Sequence, residues 1–111
     1  MCIVAFAWKA HPRWQMVAIG NRDELHARPA ESLHRCETYV HLWAGRDAIA
    51  GGTWLGVSEE GRFAVVTNLY GFGAPQPERA SRGDLLRDFL AGHGRYADLA
   101  STQYADFNPF N

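Results

Sequence analysis

The stretch Met16-Val17-Ala18-Ile19-Gly20-Asn21-Arg22-Asp23-Glu24 decides how the chain is read. An apolar run ends in a glycine, and an amide, a cation and two carboxylates follow with no spacer. Gly20 lets another backbone come close. Alternation along a strand puts Arg22 on one face and Asn21 and Asp23 on the other. Surface turns rarely need this charge set directly after a buried-looking strand. The segment is therefore read as holding charged groups against something near the first residues of the chain.

Working outward, Cys2-Ile3-Val4-Ala5-Phe6-Ala7-Trp8 is short, β-branched and aromatic, with hydrophobics on both faces, and reads as a buried strand. Lys9-Ala10-His11-Pro12 breaks it, since Pro12 cannot donate to a ladder. Trp14 to Asn21 reads as a second strand. The pair predicts an antiparallel hairpin, which returns the end of the second strand to the start of the first. Arg22 and Asp23 are thereby brought toward Cys2.

Cys2 is the sharpest chemical candidate. A small residue behind the initiator Met normally allows that Met to be removed, leaving Cys2 with a thiol and a free α-amine. The unperturbed amine titrates at about 7.7–8.0 and the thiol at about 8.5, so the amine can take the thiol proton near neutral pH. The resulting thiolate is a strong nucleophile, and a terminal amine is a recognised activating base. A carboxylate at Asp23 would anchor the ammonium, and a guanidinium at Arg22 would favour the thiolate. The plainer reading makes Cys2 a small apolar residue opening a strand, and Arg22 and Asp23 a surface ion cluster closing another.

Farther along, Leu25 to Leu42 reads as irregular, with Tyr39 to Trp43 as a short edge strand. Ala44 to Asp47 and Gly51-Gly52 read as turns. Thr53 to Ser58 and Phe63 to Leu69 predict a second hairpin, closed by a tight turn with Gly61 at a position suited to positive φ. Asn68 ends the best strand of the chain, where a backbone N–H can be left facing a reacting carbonyl as an oxyanion donor; an ordinary strand end is the alternative. After a loop over Tyr70 to Arg79, Ser81 is placed as a helix N-cap, with Asp84 in the capping-box place. Leu85, Leu86, Phe89 and Leu90 form one helical face, and Gly92 ends it. Arg95 to Tyr104 predicts a second helix, and Phe107 and Phe110 suggest entry into another strand. Strands first and helices later point to an α+β fold.

Composition narrows the function classes. At 111 residues, 47% of them hydrophobic, the chain makes one small domain with a modest core. A net charge of -1 and scattered arginines give no footprint for nucleic acid. Cys2 and Cys36 make no disulfide framework, and free thiols suit a reducing cytosol. The run Cys2 to Trp8 lacks a basic flank and is too short for a signal peptide or a membrane span, so a soluble, cytoplasmic protein is expected. His26, His34, Cys36 and His41 fit no compact tetrahedral spacing, so no metal is expected. The four tryptophans read as core rather than as a cofactor box.

Taken in order, Met1-Cys2-Ile3, Asn21-Arg22-Asp23-Glu24, Arg28-Pro29, Gly45-Arg46-Asp47, Gly51-Gly52-Thr53-Trp54-Leu55-Gly56, Thr67-Asn68 and Ser81-Arg82-Gly83 resemble the NRDE family. That family is named for the Asn-Arg-Asp-Glu run and includes the transport and Golgi organisation 2 proteins. Each motif is weak alone, but the ordered set covers essentially the whole chain. The resemblance implies a fold similar to the N-terminal nucleophile (Ntn) hydrolases, an αββα sandwich. It puts Cys2 where choloylglycine-type amidases keep their nucleophile, Arg22 and Asp23 where they keep a strand-end Arg and Asp, and Asn68 in their oxyanion-hole hairpin. It thus implies amide or related acyl bond hydrolysis on a small molecule, without a cofactor. Its alternative is a non-catalytic protein that handles haem or a lipid-like ligand, with a haem contact from a His or Cys.

Members of the family are usually more than twice as long. Residues 1–111 are therefore expected to form a single partial domain, an incomplete half-sandwich of antiparallel hairpins followed by helices. The later Asn and Arg of the amidase site have no counterpart. Such a half exposes sheet edges and an apolar helix face, so self-association is expected.

Overall fold

The computed structural model describes residues 2–111. Two antiparallel sheets are built in sequence order. The first is a hairpin of β1 (Ile3–Trp8) and β2 (Met16–Asn21), in register from Ile3 opposite Asn21 to Trp8 opposite Met16. The second has four strands, β3 (Ala30–Arg35), β4 (Leu42–Asp47), β5 (Leu55–Ser58) and β6 (Phe63–Val65). One helix, α1 (Arg82–Ala91), lies across β4, β5 and β6, and a 3-10 turn spans Tyr104–Asp106. The architecture is mixed α+β and matches an incomplete sandwich.

Local chemistry explains the elements that were foreseen. Ser81 caps α1 by accepting from the Gly83 N–H at 3.2 Å, and Gly92 ends it in the left-handed conformation at φ 74°. Asp84 does not complete a capping box; its carboxylate takes the Arg87 guanidinium at 2.7 Å. Gly61 turns the β5–β6 hairpin at φ 86°.

Four expectations are corrected. Ala44 to Asp47 is no turn: it is the second half of β4, an interior strand between β3 and β5. Gly45 is there because a Cβ would meet the Trp54 ring at 2.8 Å. The expected irregular region contains β3, an edge strand of mixed polarity whose apolar pattern is too weak to announce it. Arg95 to Tyr104 is not helical. Ser101 and Thr102 hydroxyls donate to the Asp98 carbonyl and the Ala100 N–H to the Asp98 carboxylate, local bonds that compete with a helix ladder. Finally, β1 is largely exposed, with Phe6 at 70%, because neither hairpin strand packs element against element on the rest of the chain.

Regular pairing of β6 stops at Val65, and the last residues take over. Thr67 and Asn111 exchange backbone hydrogen bonds at 3.0 Å each, and Leu69 N–H donates to the Pro109 carbonyl at 3.3 Å. The predicted entry of Phe110 into a strand is met as a single antiparallel bridge to Asn68.

Two small cores form around α1, one against the larger sheet and one against the segment that follows the helix. Leu42, Leu90 and Ala91 form one, and Leu85, Tyr96 and Phe107 the other. Between them the buried Asp88 accepts from the Tyr96 N–H at 3.2 Å and pairs with Arg87. The start of α1 is seated by a glycine crossing: a Cβ on Gly52 would stand 2.5 Å from the Gly83 carbonyl carbon. Val4, Phe6 and Trp8 share one face of the hairpin, and Phe6 and Trp8 look across an apolar cavity of about 520 Å³ toward Phe63, Leu85 and Phe89. The opposite face leaves Ile3, Val17 and Ile19 exposed.

Because backbone and not a movable side chain fills the space at the crossing, Gly52→Ala is expected to cost about 1–3 kcal/mol. Thermal unfolding followed by circular dichroism checks this, with a Tm fall of roughly 4–8 °C per kcal/mol.

Candidate functional site

The hairpin register sets the end of β2 beside the start of β1, as expected. The Asp23 N–H donates to Cys2 Sγ at 3.2 Å, and the thiol faces the Asp23 carbonyl at 4.0 Å. The Asn21 side-chain oxygen accepts from the Ile3 N–H at 2.9 Å and locks this end of the pair. Cys2 is half-buried in the wall of a cleft of about 360 Å³, together with Arg22, Asp23, Asp47, Asn68 and Arg82.

Arg22 lines the same cleft, but its guanidinium is turned to Asp47, at 3.1 Å from Oδ2, and lies 4.7 Å over the Trp54 ring. Glu24 stands at 3.7 Å. Arg28 Nε reaches the same Asp47 oxygen at 2.7 Å. The other oxygen, Oδ1, accepts from the N–H groups of Ile49 and Ala50 at 2.9 and 3.0 Å. Asp47 is thus a hub between the hairpin end and β4. Burial is the largest single influence on its carboxyl and pushes its pKa up, but the Ala50 and Ile49 amides and the Arg28 guanidinium together outweigh it and hold the group below its ordinary range.

Asn68 is brought to the cleft as expected. Thr67 and Leu69 spend their N–H groups on the terminal segment, so alternation turns the Asn68 N–H to the opposite edge.

Two residues escaped the sequence reading. Asp47 was assigned to a turn and otherwise seen only as a member of the Gly45-Arg46-Asp47 motif. Arg82 was seen only as a motif member. It stands half-buried on the cleft wall, where burial lowers its pKa and the nearby Glu24 pulls the other way.

The remaining His and Cys residues are dispersed. Cys36 packs against the Leu42 and Leu90 core, and burial pushes its thiol up against a smaller pull from Arg46. His41 has its Nε2 buried without a partner among the described residues. Among the described residues no three of His, Cys, Asp and Glu are grouped so as to hold a metal ion, and no helix is long and apolar enough to cross a membrane.

The family model for Transport and Golgi organisation 2 matches residues 1–111. The chain is 31% identical over 121 residues to the Transport and Golgi organization 2 homolog of Mus musculus, covering 100% of this chain and 44% of that protein. The Homo sapiens homolog is likewise 31% identical over 111 residues, covering 94% of this chain and 38% of its own length. An uncharacterised protein of Saccharomyces cerevisiae shares 31% over 139 residues, covering 99% and 41%. The chain spans less than half the length of these curated relatives.

Asp47 gives the site a pH signature. Its folded-state pKa lies below the ordinary 3.8, so its contribution to stability is complete above that value and is lost as pH falls through the folded pKa. Asp47→Asn is expected to cost about 2–4 kcal/mol at pH 7, because Arg22 and Arg28 lose their shared anion. The difference between wild type and variant should shrink below about pH 4. Urea unfolding at a series of pH values measures both.

Proposed function

The chain belongs to the Transport and Golgi organisation 2 family, and from that premise and the setting of Cys2 we propose that it is Ntn-hydrolase-like. In this reading Cys2, unmasked by loss of Met1, attacks the carbonyl carbon of an amide or related acyl bond. The observation that carries the reading is the Asp23 N–H aimed at Cys2 Sγ at 3.2 Å, on the wall of a cleft. A backbone donor at that place hydrogen-bonds a thiolate.

The steps follow from the groups present. The free α-amine of Cys2 takes the Sγ proton, and the sulfur lone pair forms a C–S bond. The carbonyl π electrons move onto oxygen, and in this reading the Asn68 N–H donates to it. Collapse expels the leaving nitrogen, which takes the proton from the ammonium and departs as an amine. Water then cleaves the thioester, releasing the acid and restoring the thiol. Asp23 anchors the ammonium, and Arg22, held by Asp47 and Glu24, orders the cleft wall that Cys2 shares. The two free thiols support a reducing compartment, and we place the protein in the cytoplasm. The uncovered hairpin face, with Ile19 at 72% exposure, supports self-association.

A second reading has one observation in its favour. The apolar cavity of about 520 Å³ between the hairpin and α1 is room for a lipid-like ligand or haem carried without chemistry. Titration with haem, followed by its Soret band, is expected to show a shift under that reading and none under the first.

Intact-mass spectrometry tests the hydrolase reading. Met1 is expected to be absent, and an activated acyl ester is expected to modify Cys2 about tenfold faster than the burial-suppressed Cys36. Cys2→Ala removes the fast adduct. Retained Met1, or equal labelling of the two cysteines, overturns the proposal.

A further inference from the structure

Beside the Cys2 cleft lies a smaller recess of about 210 Å³, walled by the loop from Tyr70 to Gln76 and by Pro109. Asn68, Arg79, Arg82 and Asn108 line both, so the two spaces adjoin. Their charge differs. Asp23, Glu24 and Asp47 line the cleft among its arginines, whereas the recess has Arg79 and Arg82 and no Asp or Glu.

The bonding of these two cations sharpens the contrast. Arg22, Arg28, Arg35, Arg46, Arg62 and Arg87 each have a carboxylate within ion-pair distance. Among the described residues Arg79 and Arg82 have none. Arg79 is spent on neutral oxygens, those of Gln76, Ala105 and Phe107. Arg82 donates one N–H to the Pro109 carbonyl at 3.0 Å. A guanidinium has five N–H donors in a fixed fork, so most of those on Arg82 remain for a ligand. The glycine crossing at Gly52 and Gly83 holds the Arg82 backbone in place. Two half-buried cations with no carboxylate at ion-pair distance among the described residues attract an anion, and the fork of Arg82 fits a planar or tetrahedral oxyanion.

We propose that this recess is an oxyanion subsite, in which Arg82, reinforced by the charge of Arg79, holds a carboxylate or phosphate group of the molecule whose acyl carbon meets Cys2. The inference rests on the reading of Cys2 as nucleophile and narrows its substrates to acyl compounds bearing an acidic group. Arg82 is a binding residue in this scheme, and Arg79 is a brace that adds field.

Iodoacetate and iodoacetamide test it, because they alkylate a thiol by the same displacement of iodide and differ in carrying a carboxylate or an amide. Rates are read at the Cys2 and Cys36 peptides by mass spectrometry. The iodoacetate-to-iodoacetamide ratio at Cys2 is expected to exceed that at Cys36 by about tenfold, the order of one charge-assisted contact. It should fall to the Cys36 level in Arg82→Gln and stay partly raised in Arg82→Lys. Any general change in thiol reactivity cancels in the ratio. In wild-type protein, inorganic phosphate or acetate should slow iodoacetate at Cys2, and the more effective of the two identifies the group. A ratio unchanged by Arg82→Gln, or no protection by either anion, overturns the subsite; the second result needs no variant to fold. A Cys2 inert to both reagents tells against the nucleophile alone. Phosphate titration followed by amide NMR shifts at residues 69–76 and 82 then decides the subsite, with shifts supporting it and their absence overturning it.

Discussion

One carboxylate ties together parts of the chain that share no ladder. Asp47 receives Arg22 from the end of the β1–β2 hairpin, Arg28 from the segment after it, and two amides from the turn that leaves β4. Removing a carboxylate from water is costly, and four donors on two oxygens are what make the position tolerable. Trp54 contributes its ring face beneath Arg22. Because the hairpin has no element-to-element packing on the larger sheet, this polar knot is a main tie between them. The location of Cys2 relative to Asn68 and Arg82 therefore rests on charge and hydrogen-bond geometry more than on a greasy core.

The larger sheet supplies the rigid counterpart. Gly56 lies under Leu90, where a Cβ would stand 2.8 Å from its methyl, and Gly45 lies under Trp54. Close contacts of this kind fix the distance between α1 and the strands, and hence where the helix begins. Cleft residues accordingly come from two sources: a loosely packed hairpin and its end, which bring Cys2 and Arg22, and the tightly packed helix-on-sheet unit with its flanking segments, which brings Asp47, Asn68 and Arg82.

Sequence reasoning reached those parts of the fold whose cause is local. Both hairpins were legible, since each is two apolar runs flanking a break. So were the ends of α1, because Ser81 and Gly92 act on their own backbone neighbours. The adjacency of Cys2 and Asp23 followed from hairpin register alone. What escaped depends on neighbours far away in sequence. Gly45 reads as a turn residue until Trp54 is known to lie over it. β3 carries no periodic signal and exists because β4 offers it an edge. The exposed state of β1 is equally invisible, for hydrophobicity on both faces says what a strand wants to cover and not what covers it. Asp47 and Arg82 were missed because their significance lies in which partners they have, or lack.

The exchange between Thr67 and Asn111 has a wider implication. These bonds act as a splint on the peptide plane that carries the Asn68 amide. Backbone direction at that residue is then a property of the far tail as much as of its own strand. Peeling residues 109–111 away would let the plane swivel, and the direction of the amide would no longer be fixed. A substitution in residues 109–111 is therefore felt in the cleft, through the Thr67–Asn68 peptide link as well as through the neighbouring Asn108.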